Sequence, residues 1–315
     1  MPVLAPDTNR TTLVACLIAV WVLWGSVYLA IRLVVDEVDP FQAMGQRFLL
    51  AGLLLTGIVV VRRGWRGLRV TRPQLRSLVI IGVLLLGLGN GFQALAQTTG
   101  LASGVTALVV AAVPAWAVLL RWSTGDRPAP LTLVGVAVGF GGLALLVGLG
   151  QSGGGVPLVG VLLCLGSSLA WTAGSFLQGV LPLPADVFTI AAYQQLVAAC
   201  CSGLLAVVTG ESFSIDYSPR AWFALGYLVV AISVVAFLAF TWLLTHVPLS
   251  LTATHAYVNP VVAVLLGAAV LSEPIGLPVL LGGGFVVGAV LLIVSAERRP
   301  APLPETQPAM GGTAR

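Results

Sequence analysis

The sequence predicts an all-α membrane protein with ten transmembrane helices, arranged as two inverted five-helix repeats. Three observations carry this expectation. Of 315 residues, 58% are hydrophobic and only 8% charged, whereas a soluble domain carries roughly 25% Asp, Glu, Lys and Arg. A chain this apolar could not cover its own surface in water. The apolar residues also fall into ten runs near the ~20 residues needed to cross a bilayer. Finally, the chain matches itself at a shift of about 147 residues.

The runs cover residues 13–35, 41–61, 75–97, 101–121, 131–149, 156–178, 187–209, 221–244, 249–271 and 275–296. Asp36-Glu37-Val38-Asp39-Pro40 separates the first pair and Ser272-Glu273-Pro274 the last. Gly125-Asp126-Arg127-Pro128 and Gln151-Ser152-Gly153-Gly154-Gly155 flank the fifth run. The weakest boundary is Thr98-Thr99-Gly100. The first run is too long for a signal-peptide core and lacks a cleavage site, so it reads as a retained span. The chain thus divides into a tail (1–12), a first repeat (13–149), a second repeat (156–296) and a tail (297–315). The polar, proline-rich composition of the second tail predicts disorder.

Charge sets the orientation. All fifteen basic residues are arginines, and the net charge is +4. This surplus does not mark a nucleic-acid site. Arg62, Arg63, Arg66, Arg69, Arg72 and Arg76 crowd one loop, as in a cytoplasmic loop under the positive-inside bias. With both termini inside, twelve arginines are cytoplasmic. Outside lie Arg220 and six acids: Asp36, Glu37, Asp39, Glu211, Asp216 and Glu273. The expected location is the cytoplasmic (inner) membrane. Cys16, Cys164, Cys200 and Cys201 sit inside apolar runs without metal-ligand spacing, so they read as small core residues. Neither a cofactor nor a metal is expected.

The repeat is more specific than apolar composition. Trp24 maps onto Trp171 and Phe41 onto Phe188 at a shift of 147. At 146, Thr106-Ala107, Pro114 and Ala117-Val118-Leu119-Leu120 meet Thr252-Ala253, Pro260 and Ala263-Val264-Leu265-Leu266. Each half has an odd number of spans, so the halves must be inverted. That is a transporter architecture, with the solute site at the interface of the repeats.

Polar groups in hydrocarbon must be paired or face a cavity, so their helical phase is informative. Asn90, Gln93 and Gln97 share one face of the third run. Thr252, His255 and Asn259 repeat that spacing in the ninth. Ser168, Trp171, Ser175 and Gln178 line one face of the sixth, and Trp21, Trp24 and Tyr28 one face of the first. Interhelical hydrogen bonding would explain any single one, but four aligned stripes favour a shared cavity for an amphipathic solute. Arg47 is either an anion-attracting or gating group, or an interfacial arginine paired with Asp36, Glu37 or Asp39. Arg32 precedes Asp36 by one turn and reads as its ion-pair partner. Glu273 is a candidate gate or helix cap. His255, the one histidine within a run, could titrate near neutral pH. Pro114 and Pro260 lie mid-run as candidate hinges. Gly135-x-x-x-Gly139 and Gly284-x-x-x-Gly288 suit close helix packing, within the chain or in a homodimer.

Trp24-Gly25-Ser26, Arg47-Phe48, the stretch from Ala94-Leu95 to Pro114, and Tyr257-Val258-Asn259-Pro260 with Ser272-Glu273-Pro274 resemble the EamA-type members of the drug/metabolite transporter superfamily. The likeness covers about residues 13–296. It implies an inverted-repeat fold and export of small metabolites, such as amino acids, or of toxic compounds. It also implies a central cavity built from spans 1, 3, 4, 6, 8 and 9, adding Trp116 and Trp242 to the lining. The family's arginine in span 2 corresponds to Arg47. Its repeat equivalent here is Gln194, so any role of that charge is asymmetric. A membrane-embedded enzyme and a non-transporting receptor or scaffold are the competing readings. The sequence lacks His-Glu-x-x-His, an Asp-rich diphosphate motif and a Cys/His cluster.

Overall fold

The computed structural model describes residues 10–123, 125, 127–151, 156–246 and 255–297. Among them no strand forms. The helices are α1 (Arg10–Val35), α2 (Pro40–Arg63), α3 (Arg72–Thr98), α4 (Ser103–Val110 and Val113–Ser123), α5 (Pro130–Gln151), α6 (Leu158–Val180), α7 (Val187–Thr209), α8 (219–246), α9 (His255–Leu271) and α10 (Leu277–Glu297). Eight, α1 to α8, are long and apolar enough to cross a membrane; the apolar stretches of α9 and α10 are shorter. The expected run 249–271 begins outside the described residues, as do Thr252, Arg298, Arg299, Arg315 and nearly all of the second tail.

Local chemistry explains the helix ends. Thr71 and Gln74 form a reciprocal capping box at the start of α3, satisfying donors that the first helical turn leaves free. Asp186 accepts from Thr189 N to cap α7, and Ser218 from Ala221 N to cap α8, ahead of Pro219. Gly210 ends α7 with φ 74°, a left-handed conformation that glycine adopts without steric cost.

Two features of the helix interiors were not legible beforehand. The segments Gly82–Leu88 of α3 and Leu228–Ala236 of α8 are π-helical. They fall on each other under the repeat shift. In addition, α4 breaks at Ala111-Ala112, where Ala112 N turns back to Val109 O. Pro114 follows as the second residue of the new helix, where its missing N–H costs little.

The packing has two-fold character. α1 packs on α8 and α9, and α6 packs on the equivalent α3 and α4. α2 lies against α7 and α5 against α10, pairs that map onto themselves. The main core wraps α1, with Ile31 and Val34 fully buried. The outer surface is apolar too: Leu49, Leu50 and Leu53 of α2, Leu204, Val207 and Val208 of α7, and Leu280 and Phe285 of α10 are exposed. Such a band suits hydrocarbon rather than water. Cys200 faces outward within it instead of entering the core.

The glycine motifs divide in use. On α5, a Cβ at Gly135 would lie 2.7 Å from Ile293 Cγ1 and one at Gly139 3.2 Å from Ala289 Cβ, and one at Gly142, outside the motif, 2.7 Å from Phe285 Cβ. These glycines let α10 approach α5 closely. Gly284 and Gly288 have open space beside them.

Candidate functional site

A cavity of about 90 Å³ lies where the halves meet. It draws on α1 to α4 of the first half and α6 to α9 of the second, while α5 and α10 stay outside it. Its volume is well below the roughly 300–1,000 Å³ of pockets that enclose drug-sized ligands.

One wall is aromatic. Trp24 packs edge-on against Trp171 with centroids 5.7 Å apart and against His255 at 5.1 Å. Phe240 backs this cluster, 4.5 Å from Trp24 and 5.8 Å from His255. The other wall is polar and centres on Arg47, which is only 3% exposed. Arg47 Nε donates to Ser233 Oγ at 3.0 Å and Nη1 to Asn90 Oδ1 at 3.2 Å. Gln93 Nε2 is enclosed and has no hydrogen-bond partner among the described residues, a costly state unless something else pairs with it. Gln195 donates from Nε2 to Ser233 O at 3.0 Å.

Trp24, Tyr28, Asn90, Gln93, Trp171, His255, Asn259, Arg47 and Pro260 all line this cavity. The interfacial reading of Arg47 is therefore overturned: it neither reaches the outer loop nor pairs with Asp36, Glu37 or Asp39. Ser233 and Asn90 hold it inward, and Asp36 takes Arg32 at 2.9 Å instead.

Other expected lining residues are used elsewhere. Trp116 donates from Nε1 to Ser168 Oγ at 2.9 Å and packs on Phe140. Gln97 is fully buried and donates to Tyr28 O at 3.1 Å, tying α3 to α1. Gln178 accepts from Gln194 Nε2. Trp242 packs against the main core, and Ser175 is half-buried on α6 outside the lining. Asn259 lines the cavity edge but also braces the helices: its amide nitrogen, oriented by its surroundings, donates to Trp21 O and His255 O at 3.2 and 3.1 Å.

Ser233, Gln195, Phe237 and Leu86 are lining residues that the stripes missed. Ser233 did leave a signal, as the lone polar residue in Leu228–Ala236. The resemblance implied no contribution from span 7, yet Gln195 comes from it.

Carboxylates clamp one end of the bundle across the halves. Glu211, between α7 and α8, accepts from Phe41 N and Gln42 N at 3.3 and 2.8 Å, closing the start of α2. Burial pushes its carboxyl above the usual range, outweighing those two bonds. Glu37, between α1 and α2, accepts from Ser218 Oγ and N at 2.6 and 2.8 Å. These bonds hold its carboxyl below the usual range. Glu273 accepts from Ser103 N, Ser103 Oγ and Gly104 N at 2.8, 2.9 and 3.2 Å, capping α4. Ser272, with φ 54°, turns the chain so that the Glu273 carboxylate lies over Gly267. At the opposite end, Arg63 pairs with Asp186 at 3.2 Å, and Tyr193 donates to Leu68 O at 2.8 Å.

A helical bundle with an apolar exterior and a half-aromatic, half-polar cavity between similar halves fits one class: membrane carriers of small solutes. The chain belongs to the EamA-like transporter family, whose pattern matches twice, over residues 11–148 and 158–295. It is 34% identical over 284 residues to an "Uncharacterized inner membrane transporter YedA" of Escherichia coli (strain K12), spanning 89% of this chain and 90% of that one. It is 25% identical to an "Uncharacterized transporter YvbV" of Bacillus subtilis (strain 168), over 91% and 92% of the two chains. A crystal structure at 20% identity aligns over 92% of this chain and 99% of that one with a TM-score of 0.63. At that identity the likeness shows a shared fold alone.

Proposed function

We propose that the chain is a secondary transporter of the cytoplasmic (inner) membrane that exports small amphipathic metabolites, amino acids or related compounds, or drugs by alternating access. The single observation that carries this reading is the cavity between the halves, apolar on one wall and polar on the other. In this reading ten spans cross the bilayer with both termini in the cytoplasm. The arginine asymmetry and the inner-membrane name of the E. coli relative support that placement.

The geometry supports the following roles. Trp24 and Trp171 contact the apolar part of the solute, and Arg47, Asn90 and Gln93 its polar part. Pro260, beside the cavity, and Pro114, just past the break in α4, act as hinges. Glu37, Glu211 and Glu273 close the outer end and must let go when it opens.

The test is flux in proteoliposomes across a panel of metabolites. Trp171→Ala and Gln93→Ala should each reduce flux while both proteins still purify folded, Trp171→Ala melting somewhat lower for its lost contact with Trp24. Wild-type flux in both would remove the cavity from the mechanism. A C-terminal reporter found on the outer side would overturn the topology.

A further inference from the structure

We propose that the central cavity selects organic anions: a solute with a single carboxylate, seated on Arg47, and a ring-sized apolar body against Trp24 and Trp171. This rests on the transporter reading above and names its substrate class. Arginine stays cationic at neutral pH. Arg47 is buried, and among the described residues no carboxylate lies within ion-pair distance of it. Its protein partners, Ser233 Oγ, Asn90 Oδ1 and Met44 Sδ, are all neutral. They fix the guanidinium through Nε and Nη1, while Nη2 makes no hydrogen bond to any of the described residues. A positioned, uncompensated guanidinium with free donors is a ready partner for a planar carboxylate. Gln93 Nε2 adds a second unpaired donor to the same lining. Gln195 Oε1 is an unpaired acceptor there, but a neutral amide oxygen cannot balance a full charge.

The opposite wall fixes the rest of the solute. Trp24 and Trp171 meet edge to face, a packing that offers ring surface to a flat apolar group. Nothing among the described lining residues carries a negative charge. An α-amino acid would bring an ammonium to a site already holding one cation, so a simple carboxylate should bind better than the corresponding zwitterion.

The experiment uses the full chain in nanodiscs, reading tryptophan fluorescence on titration with benzoate, phenylacetate, benzamide, phenylacetamide, phenylalanine and inorganic phosphate. A charge-assisted hydrogen bond predicts that at least one acid binds about ten- to hundredfold more tightly than its own amide. Phenylalanine should bind more weakly than phenylacetate. Arg47→Gln should erase the acid–amide difference, and Arg47→Lys should retain part of it. The wild-type comparison decides the matter even if a variant fails to fold. Neither acid outbinding its amide overturns the proposal, as does phosphate binding more tightly than both acids. Flux of neutral or cationic solutes with none of carboxylates overturns anion selection and leaves the transporter reading standing. Carboxylate binding without flux of any solute does the reverse.

Discussion

Trp171 and Glu273 are both conspicuous in the sequence, yet they act through different chemistry and should fail in different ways. Trp171 meets Trp24 at 5.7 Å, a contact of about 0.5–1.5 kcal/mol. If it is made to the solute as well, Trp171→Ala should lower flux about two- to tenfold. Glu273→Ala removes the acceptor of two backbone N–H groups at the start of α4. It should cost about 0.5–2 kcal/mol, read as a lower Tm in detergent. The clamping carboxylates also predict opposite pH responses. Glu37 is held below its ordinary value, so it stabilises the fold above the unfolded carboxylate range and loses that contribution as pH falls through its lowered value. The Tm advantage of wild type over Glu37→Gln should shrink on acidification. Glu211 is raised by burial, so wild type should gain on Glu211→Gln as pH falls from neutral. Parallel responses in the two variants would contradict this assignment. Much of the site was readable at this scale, because Asn90 and Gln93 share one helix face and Trp171 and His255 each fall on a polar stripe of their own helix. Helical phase gives a face, however, and not the neighbour across it. That is why Gln97 looks like a cavity residue in sequence and serves as a brace in the fold; Trp116, which the family resemblance alone placed in the lining, braces α4 against α6 instead. Arg47 misleads for a related reason, since a charge two turns from a loop resembles an interfacial one until Ser233 and Asn90 arrive from distant helices.

Among the elements, α7 was read most directly: the apolar run 187–209 and the helix Val187–Thr209 coincide, bounded by Asp186 and Gly210. The interiors of α3 and α8 were not readable. A stretch such as Leu-Val-Val-Ala-Ile-Ser-Val-Val-Ala is apolar all round, so nothing in its pattern separates a π turn from an α turn. The small-residue motifs were ambiguous between packing inside the chain and packing against another copy. Steric clearance separates them. Gly135→Ala would force a Cβ to 2.7 Å from Ile293 Cγ1 and should cost about 1–3 kcal/mol. Gly288→Ala meets open space and should change stability by no more than about 0.5 kcal/mol. Thermal melts of the two variants check this; equal losses would mean that α10 packs on both sides.

For the whole molecule, composition and self-similarity were enough to expect two five-helix units, and the pairing of α1 with α8 and α9 is mirrored by α6 with α3 and α4. What the sequence withheld is how the halves hold each other, because the carboxylate clamps join loops some 170 residues apart. Alternating access requires such contacts to break. Ser212 N donates to Asp39 Oδ2 at 3.2 Å. Asp39→Cys with Ser212→Cys, joined by a thiol cross-linker, should therefore abolish flux and recover it on cleavage of the link; undiminished flux in the linked protein would exclude opening at that end. The paired π segments bear on how such an opening can be transmitted. A π turn stores one surplus residue. If that residue is passed along the helix, the stretch it traverses turns by about 100°, the angle between successive α-helical residues, while the residues beyond keep their register. In α3 the stretch just past the π turn carries Asn90 and Gln93, and in α8 Phe237 and Phe240. Each half thus carries a π turn beside the cavity wall, and its passage through that wall would turn the residues there about the helix axis without bending the helix.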